Sequence, residues 1–297
     1  INIAGLINTP IVGFQLHRSA HHRNEASYCK TVIAKNAQHG FSFPMSKALL
    51  KDIVRHCDRT LKIDTIADYD GALNGLQVEN NGEISRITAA VDASLSTVRM
   101  AIKAKADLLI VHHGLFWNPQ QPWTGKKRDL IGELVEHNLA VYSSHLPLDL
   151  HPRLGNNASL FKALKLTKPK PFFEEHDQSI GLKTSTRLDR NILSKRLESI
   201  LGMSPTLLPG GPKVCKKIGI VTGGAGSSIA KAAAEGVDTF ITGEGPHWTG
   251  ALAEELEINV FYGGHYATET FGVKALGAHL AKKYSLPWTF LDHPTGL

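Results

Sequence analysis

The chain is poor in the features that mark disulfide-stabilised and membrane-spanning proteins. Only three cysteines occur among its 297 residues, and Cys29, Cys57 and Cys215 lie far apart without forming a Cys-x-x-Cys pair. This spacing predicts a reducing compartment and no disulfide framework, with Cys57 and Cys215 in packing roles. No run of about eighteen apolar residues occurs, so we expect no membrane span and a cytoplasmic protein.

The excess of positive over negative charge is small once the first 44 residues are set aside. The formal net charge is +6, and residues 1–44 carry +3 of it, from four basic residues and one acid. No stripe of basic and aromatic residues stands out in the remainder. A nucleic-acid partner is therefore not favoured, although the mildly basic remainder leaves it open.

Residues 1–44 form an unusual segment that begins with Ile and is rich in His, Arg, Asn and Ser without a steady period. We expect a disordered extension there. The favoured interpretation is translated upstream sequence, with the working protein beginning at Met45. The alternative is a transit segment, which would make the protein mitochondrial.

The most informative pattern present is a short apolar run that ends in two histidines. Leu108–Val111 predicts a buried strand, and His112 and His113 follow it directly, before Gly114. Ligands and catalytic groups gather at the carboxyl ends of strands in open α/β sheets. Because adjacent strand residues point to opposite faces, the pair suits two metal ions, or one metal and a substrate, better than a single chelated ion. The alternative is one buried, hydrogen-bonded histidine beside a surface one.

The chain also repeats itself. At a constant offset and without gaps, 96–117 aligns with 227–248, each segment comprising a helix, an Asp, an apolar strand and a turn that ends in Trp. At a slightly smaller offset, 141–149 aligns with 261–269. Such similarity over a domain-sized length predicts duplication of a whole unit rather than a solenoid.

The second pair of segments delivers a histidine and, four residues later, a carboxylate. His145 precedes Asp149, and His265 precedes Glu269. On a helix this spacing places both side chains on one face. His265 and Glu269 open a predicted helix, whereas Pro147 makes the first segment a turn or a helix start.

Three imidazoles and two carboxylates form the predicted ligand set: His112, His113, Asp149, His265 and Glu269. This mixture suits zinc, iron or manganese better than a thiolate site or an all-oxygen calcium site does. Two such ions close together are a recurrent arrangement for activating water. We assign His145, beside the set, the role of proton donor or of a residue that orients a ligand. The alternative for each His–acid pair alone is a surface contact of little energetic weight.

Alternation of strands and helices predicts an α/β fold. We expect two similar three-layer α/β domains with mixed sheets, related by the internal duplication. The first would comprise 45–150 and 258–297, because the second histidine–acid segment must return to the His112 cavity. The second would comprise 151–257, entered through a linker at 168–171.

A glycine-rich stretch, 223–228, lies between a predicted strand and a predicted helix of the second copy. Such a turn can hold phosphate on backbone N–H groups. The candidate phosphate-binding residues are Gly223, Gly224, Gly226 and Ser227. The stretch lacks the ending of a P-loop, and a tight turn with a serine helix cap is the favoured alternative. Glu244 and His247, in the turn equivalent to 112–117, are candidate cavity-lining residues; a plain surface turn is the alternative there.

Three segments, 111–114, 145–149 and 264–269, resemble the dinuclear-metal-centre hexameric proteins. These are known as GTP cyclohydrolase I type 2 homologues and as NGG-interacting-factor (NIF-three-like) relatives. The stretch 70–78 is similar to that family's early Asn-x-Gly-Leu-Gln-Val motif, without the residue between Asn74 and Gly75. The resemblance runs from about Met45 to the end of the chain. It implies metal ligation by the five predicted ligands, two similar α/β domains and a toroidal hexamer, but it names no substrate.

We therefore predict a dinuclear metal-binding protein, specifically a metal-dependent hydrolase of a phosphorylated or nucleotide-like compound. The alternative is a non-catalytic, metal-stabilised scaffold that binds protein or nucleic acid. An open coordination position would favour the enzyme. We also expect self-association, with aromatic residues from turns lining either the mouth of the site or subunit contacts. These residues are Phe116, Trp117, Trp123 and Trp248.

Overall fold

The structure is a computed structural model, and it describes residues 46–117, 121–175 and 177–297. The expectations for residues 1–44 lie outside these ranges. Within the ranges, no helix is both long enough and apolar enough to cross a membrane.

Strands and helices alternate along the chain, as the α/β prediction requires. The strands are β1 (Ala48–Leu49), β2 (Gly75–Val78), β3 (Glu83–Ile84), β4 (Ile87–Asp92), β5 (Leu108–His113), β6 (Ala140–Ser143), β7 (Lys170–Glu175), β8 (Gln178–Asp189), β9 (Thr206–Pro209), β10 (Val214–Ile220), β11 (Thr239–Thr242), β12 (Asn259–Tyr262) and β13 (Trp288–Phe290). The helices are α1 (Leu50–Leu61), α2 (Leu95–Lys103), α3 (Lys126–Glu136), α4 (Leu146–Asp149), α5 (Asn156–Ala163), α6 (Arg190–Leu201), α7 (Ile229–Ala234), α8 (Thr249–Glu255) and α9 (His265–Tyr284). A 3₁₀ turn, Ala225–Ser228, precedes α7.

Two mixed sheets share one four-stranded arrangement. The five-stranded sheet has the order β13–β4–β5–β6–β2, with β4, β5 and β6 parallel and β2 antiparallel to β6. The six-stranded sheet has the order β7–β8–β10–β11–β12–β9, with β10, β11 and β12 parallel and β9 antiparallel to β12. Helices connect the parallel strands in each sheet. The order β4–β5–β6–β2 therefore recurs as β10–β11–β12–β9, as duplication predicts.

Each sheet is the middle layer of three. Along β5, Leu108 and Ile110 pack with residues of α1 and α9, whereas Leu109 and Val111 pack with residues of α2 and α3. This alternation follows from the two-residue period of a strand and explains why β5 is apolar throughout. The six-stranded sheet is covered in the same way by α7 and α8 on one face and by α5 and α6 on the other.

An aspartate anchors the same point of both copies. Asp107 accepts hydrogen bonds from the backbone N–H groups of residues 85 and 86, at 2.6 and 3.1 Å. Asp238, its equivalent in the second copy, accepts hydrogen bonds from the backbone N–H groups of residues 216 and 217, at 3.0 to 3.1 Å. Both carboxylates thereby tie the start of one parallel strand to the strand beside it.

Two predicted boundaries differ from the structure. The prediction assigns all of 258–297 to the first domain, but β12 pairs with β11 and β9 in the six-stranded sheet. The chain returns to the five-stranded sheet only with α9, and β13 then pairs with β4. The predicted linker at 168–171 is also too long, because Lys170 and Pro171 already pair with β8.

Candidate metal centre

The two histidines at the end of β5 occupy different environments because side chains alternate along a strand. His112 follows Leu108 and Ile110 on the face covered by α9, and it is completely buried. The side chain of His113, the last residue of β5, is 22% exposed. The strand therefore delivers one enclosed imidazole and one accessible imidazole.

The segment after β6 supplies a carboxylate. His145 precedes α4, Pro147 lies in its first turn, and Asp149 ends it. Asp149 Oδ2 lies 3.4 Å from His112 Nε2. The amide of Asn156 donates a hydrogen bond to Asp149 Oδ1 at 2.7 Å, which leaves Oδ2 directed at the histidine.

The first turns of α9 supply a second carboxylate, which lies between the enclosed imidazole of His112 and the accessible imidazoles. Glu269 is almost completely buried, and its Oε1 lies 3.5 Å from His112 Nε2. Its Oε2 lies 3.2 Å from the Nε2 atoms of both His113 and His265. His265 and Glu269 share one face of α9, as their four-residue spacing predicts.

The Nδ1 atom of every imidazole in the cluster forms a hydrogen bond that fixes the ring. The acceptors are the backbone oxygen of Ser144 for His112 (3.0 Å), Asp92 for His113 (2.8 Å), Asp68 for His145 (2.8 Å) and Glu244 for His265 (2.9 Å). A hydrogen bond to Nδ1 fixes the ring and leaves Nε2 as the free ligand atom, which is the usual arrangement of metal-binding histidines.

Two buried atoms at the centre lack a hydrogen-bond partner in the described part of the chain. They are His112 Nε2 and Glu269 Oε2. Buried polar atoms normally have partners, and cations bound at the cluster would satisfy both of these atoms. The ligand atoms of three overlapping groups each lie within 4.8 Å of one another: His112, Asp149 and Glu269; His113, His265 and Glu269; and His112, His113 and His145. This buried His/Asp/Glu cluster could hold a metal ion.

The electrostatics of the cluster suit a cation. Burial alone lowers the pKa of His112, but Asp149 and Glu269 outweigh it and hold that pKa well above its usual value. Burial also opposes protonation of His265, whose pKa Glu269 and Glu244 nevertheless raise to about 9. Burial tends to raise the pKa of Glu269, yet His112 above all holds it well below its usual value. The carboxylates therefore favour positive charge at this point, as protons or as a metal ion.

Gly223 is required by its close approach to the cluster. Its φ is +77°, and a Cβ at this position would lie 2.2 Å from Glu269 Oε1. Its N–H donates to Thr268 Oγ1 at 3.1 Å. The space that the Glu269 carboxylate occupies therefore accounts for a glycine at this position.

The other predicted residues of this region differ in where they lie relative to the cluster. Gly224 and Ser227 lie on the wall of the cavity beside the cluster. Gly226 packs against the backbone of Glu244, to which its N–H donates at 3.0 Å. Glu244 contacts His265 as described, whereas His247 is exposed in the turn before α8, in line with the alternative of a plain surface turn.

A cavity of about 380 Å³ opens beside the cluster and exposes His113, His145 and His265. The rings of Tyr69 and Trp117 pack against that of His145, with centroid distances of 5.8 and 5.1 Å. The six-stranded sheet and its connections contribute the remaining wall. Both sequence copies thus enclose one site.

Three residues that orient side chains of the site were not predicted: Asp68, Asp92 and Asn156. Asp92 could have been found, because it ends the strand beside β5, and parallel strands meet at the same edge of a sheet. Asp68 reaches His145 across 77 residues of sequence, and no spacing pattern indicates such a contact. Asn156 likewise has no local signal.

Comparison with known proteins gives consistent results. The family model of Duf34/NIF3 (NGG1p interacting factor 3) matches residues 48–295. A curated GTP cyclohydrolase 1 type 2 homolog from Deinococcus radiodurans is 38% identical over 248 residues, which are 83% of this chain and 94% of that protein. One from Pyrococcus horikoshii is 39% identical over 252 residues, covering 83% and 98%. The crystal structure of TTHA1606 from Thermus thermophilus has a TM-score of 0.78 and 37% identity, covering 84% of this chain and all of that one.

Proposed function

The chain belongs to the Duf34/NIF3 (NGG1p interacting factor 3) family, and on that premise we propose that it is a metal-dependent hydrolase of a phosphorylated or nucleotide-like compound. One observation carries the proposal. The Nε2 atoms of His112, His113 and His265 converge on the two oxygens of Glu269, while each Nδ1 is fixed from behind.

We infer two divalent ions per chain, zinc, iron or manganese, from the way in which the ligand atoms divide. His112, Asp149 and Glu269 Oε1 form the enclosed half, and His113, His265 and Glu269 Oε2 form the accessible half. When bound there, such ions supply Lewis acidity and make water a stronger acid.

The protein's own residues then position the substrate and move a proton. His145 faces the cavity and its Nδ1 is hydrogen-bonded to Asp68, so its Nε2 is placed to take up the proton that the attacking water releases and to pass it to the leaving group. Tyr69 and Trp117 pack against the ring and hold it in place. The side chains of His113 and His265 are 22% and 28% exposed, which supports an enzyme rather than a closed scaffold site.

Turnover by the metal-loaded protein tests this proposal. Zinc-, iron- and manganese-loaded samples are assayed on a panel of phosphoesters and nucleotides that includes GTP, because the curated relatives carry that name. We expect at least one substrate to be hydrolysed, Glu269→Gln to abolish the activity, and Glu254→Gln, at an exposed position on α8, to retain it. Absence of turnover in samples shown by elemental analysis to be fully loaded would contradict the hydrolase and favour the scaffold.

A further inference from the structure

The cavity beside the metal centre has few cationic groups that could bind an anionic part of a substrate, apart from the metal ligands themselves. Among its lining residues in the described ranges, none is Lys or Arg. The charged lining residues are Asp149 and Glu269, which belong to the cluster, and Glu175 at the end of β7. Beyond the histidines, the wall is therefore neutral or acidic.

The lysine that contacts Glu175 is already engaged. Lys231 on α7 forms an ion pair of 2.7 Å with Glu175, and its Nζ lies 4.6 Å from the centre of the Phe173 ring. Both side chains of the pair are about one-third exposed. Glu175 thus neutralises the ammonium group with which it is paired.

The glycine-rich turn does not replace that cation. Three neighbouring N–H groups, those of Gly223, Ala225 and Gly226, already donate to Thr268, Thr242 and Glu244 respectively, at 3.0 to 3.2 Å. The helix that follows, α7, has only six residues. Gly224, Ser227 and Ser228 are the polar residues of the turn that line the cavity, and none of them carries a positive charge. A second phosphate placed here would therefore lose its hydration without gaining a cation.

We propose that the substrate carries a single phosphoryl group, which binds at the metal centre, and an uncharged body that packs against Phe173, Ile180 and Val221. This inference rests on the proposed function and narrows its substrate class. Nucleoside diphosphates and triphosphates are excluded, because their additional phosphates would face Glu175 rather than a free cation. Glu175 is therefore the residue that determines this specificity.

Binding of two matched, non-hydrolysable probes tests the inference. Phenylphosphonate carries one anionic group on a ring, and para-phenylenediphosphonate carries a second at the far side of the same ring. Both are titrated into the zinc-loaded 297-residue chain by calorimetry. We expect the monophosphonate to bind at least about tenfold more tightly, although the diphosphonate has the statistical advantage of two equivalent ends.

Variants of the Glu175–Lys231 ion pair test whether it causes the preference for the monophosphonate. In Glu175→Gln the ammonium of Lys231 is released, so the preference should shrink to about threefold or reverse. Adding Lys231→Met should restore the preference, and Glu174→Gln, an exposed neighbour on the same strand, should leave it unchanged. An unchanged preference in Glu175→Gln would overturn the role of Glu175.

The outcomes for the wild-type chain separate this inference from the hydrolase. Equal or tighter binding of the diphosphonate would overturn the single-phosphoryl rule while leaving a hydrolase intact. Preferential binding of the monophosphonate by a protein that hydrolyses nothing would support the rule and contradict the hydrolase. If neither probe binds, the single-phosphoryl rule is overturned. The turnover assay then decides by itself whether the protein is a hydrolase.

Discussion

At the scale of single residues, the space beside Glu269 decides whether the ligand set can form. Gly223→Ala places a Cβ against Glu269 Oε1 and makes a residue with a side chain adopt a φ of +77°. We expect elemental analysis of this variant to show the loss of at least one ion per chain. The backbone strain alone should cost about 1 kcal/mol of unfolding free energy.

Gly236 offers a matched control for this experiment. Its φ is +81°, but the only atom within 4 Å of a Cβ placed there is the end of the flexible Lys217 side chain, at 4.0 Å. Gly236→Ala should therefore show the same loss of stability with full metal content. Equal metal content in the two variants would show that Glu269 moves freely to accommodate the methyl group.

A variant of His145 tests whether this residue binds metal or takes part in catalysis. Its ring is fixed by Asp68 and faces the cavity, but its nearest carboxylate contact is Asp68 rather than Glu269. We expect His145→Gln to retain its metal while turnover falls by about a hundredfold or more, since general acid catalysis is lost. Asp68→Asn should lower turnover less. Loss of metal from His145→Gln would instead make this residue a ligand.

The sequence permits prediction of those site residues that neighbour one another along a strand or helix. His112 with His113, and His265 with Glu269, are such pairs, and the structure brings all four together. Asp68 is different, because tertiary packing alone brings it to His145, 77 residues further along the chain. Asn156 follows Asp149 by only seven residues, but no regular spacing marks it as the partner of that carboxylate. A glycine signal is also ambiguous on its own, since a turn, a phosphate site and a close approach all require the same residue.

At the scale of elements, the strongly apolar segments were the predictable ones. The predicted strand before His112 and the predicted helix after His265 are confirmed as β5 and α9. β13 was not predicted because it has only three residues and follows α9 after a short turn. Its partner is β4, which lies near the other end of the described chain, so its pairing depends on the tertiary fold.

A histidine pair joins α1 to α9 and should make this contact sensitive to acid. His56 Nε2 lies 2.8 Å from His279 Nε2, and the rings stack at 5.1 Å. Burial and the adjacent Lys283 lower the pKa of both residues. The folded protein therefore binds fewer protons here than the unfolded chain, whose histidines have a pKa of about 6.5.

The sign of the effect follows from that difference. Stability from the pair is present above the unfolded pKa and is lost as the pH falls through it toward the lowered folded pKa. We expect the drop in Tm between about pH 7.5 and pH 5.5 to be smaller in His56→Gln/His279→Gln than in the wild type. His247→Gln, at an exposed position, should show the wild-type drop. Comparing slopes at one saturating metal concentration cancels the pH dependence of metal binding.

At the scale of the whole molecule, the two copies make unequal contributions to one site. In the alignment of the two copies, His113 corresponds to Glu244. Extending the same offset toward the N-terminus pairs Asp92 with Gly223. In the first copy the strand ends supply an imidazole and the carboxylate that orients it. In the second copy they supply the carboxylate that orients His265 and the glycine that makes room for Glu269. Duplication followed by divergence at these positions accounts for a single, asymmetric centre.

Assembly is the remaining prediction at this scale. Trp123 and Trp248 are 38% and 53% exposed, and large exposed aromatic side chains are typical of subunit contacts. We expect a closed homo-hexamer that survives dilution to about micromolar concentration, with a mass by light scattering of six times 32.3 kDa. Trp248→Glu should dissociate it, whereas Ile192→Glu, at a similarly exposed residue on α6, should not. A mass near that of one chain for the wild type would reject the assembly and leave these aromatics as features of a monomer surface.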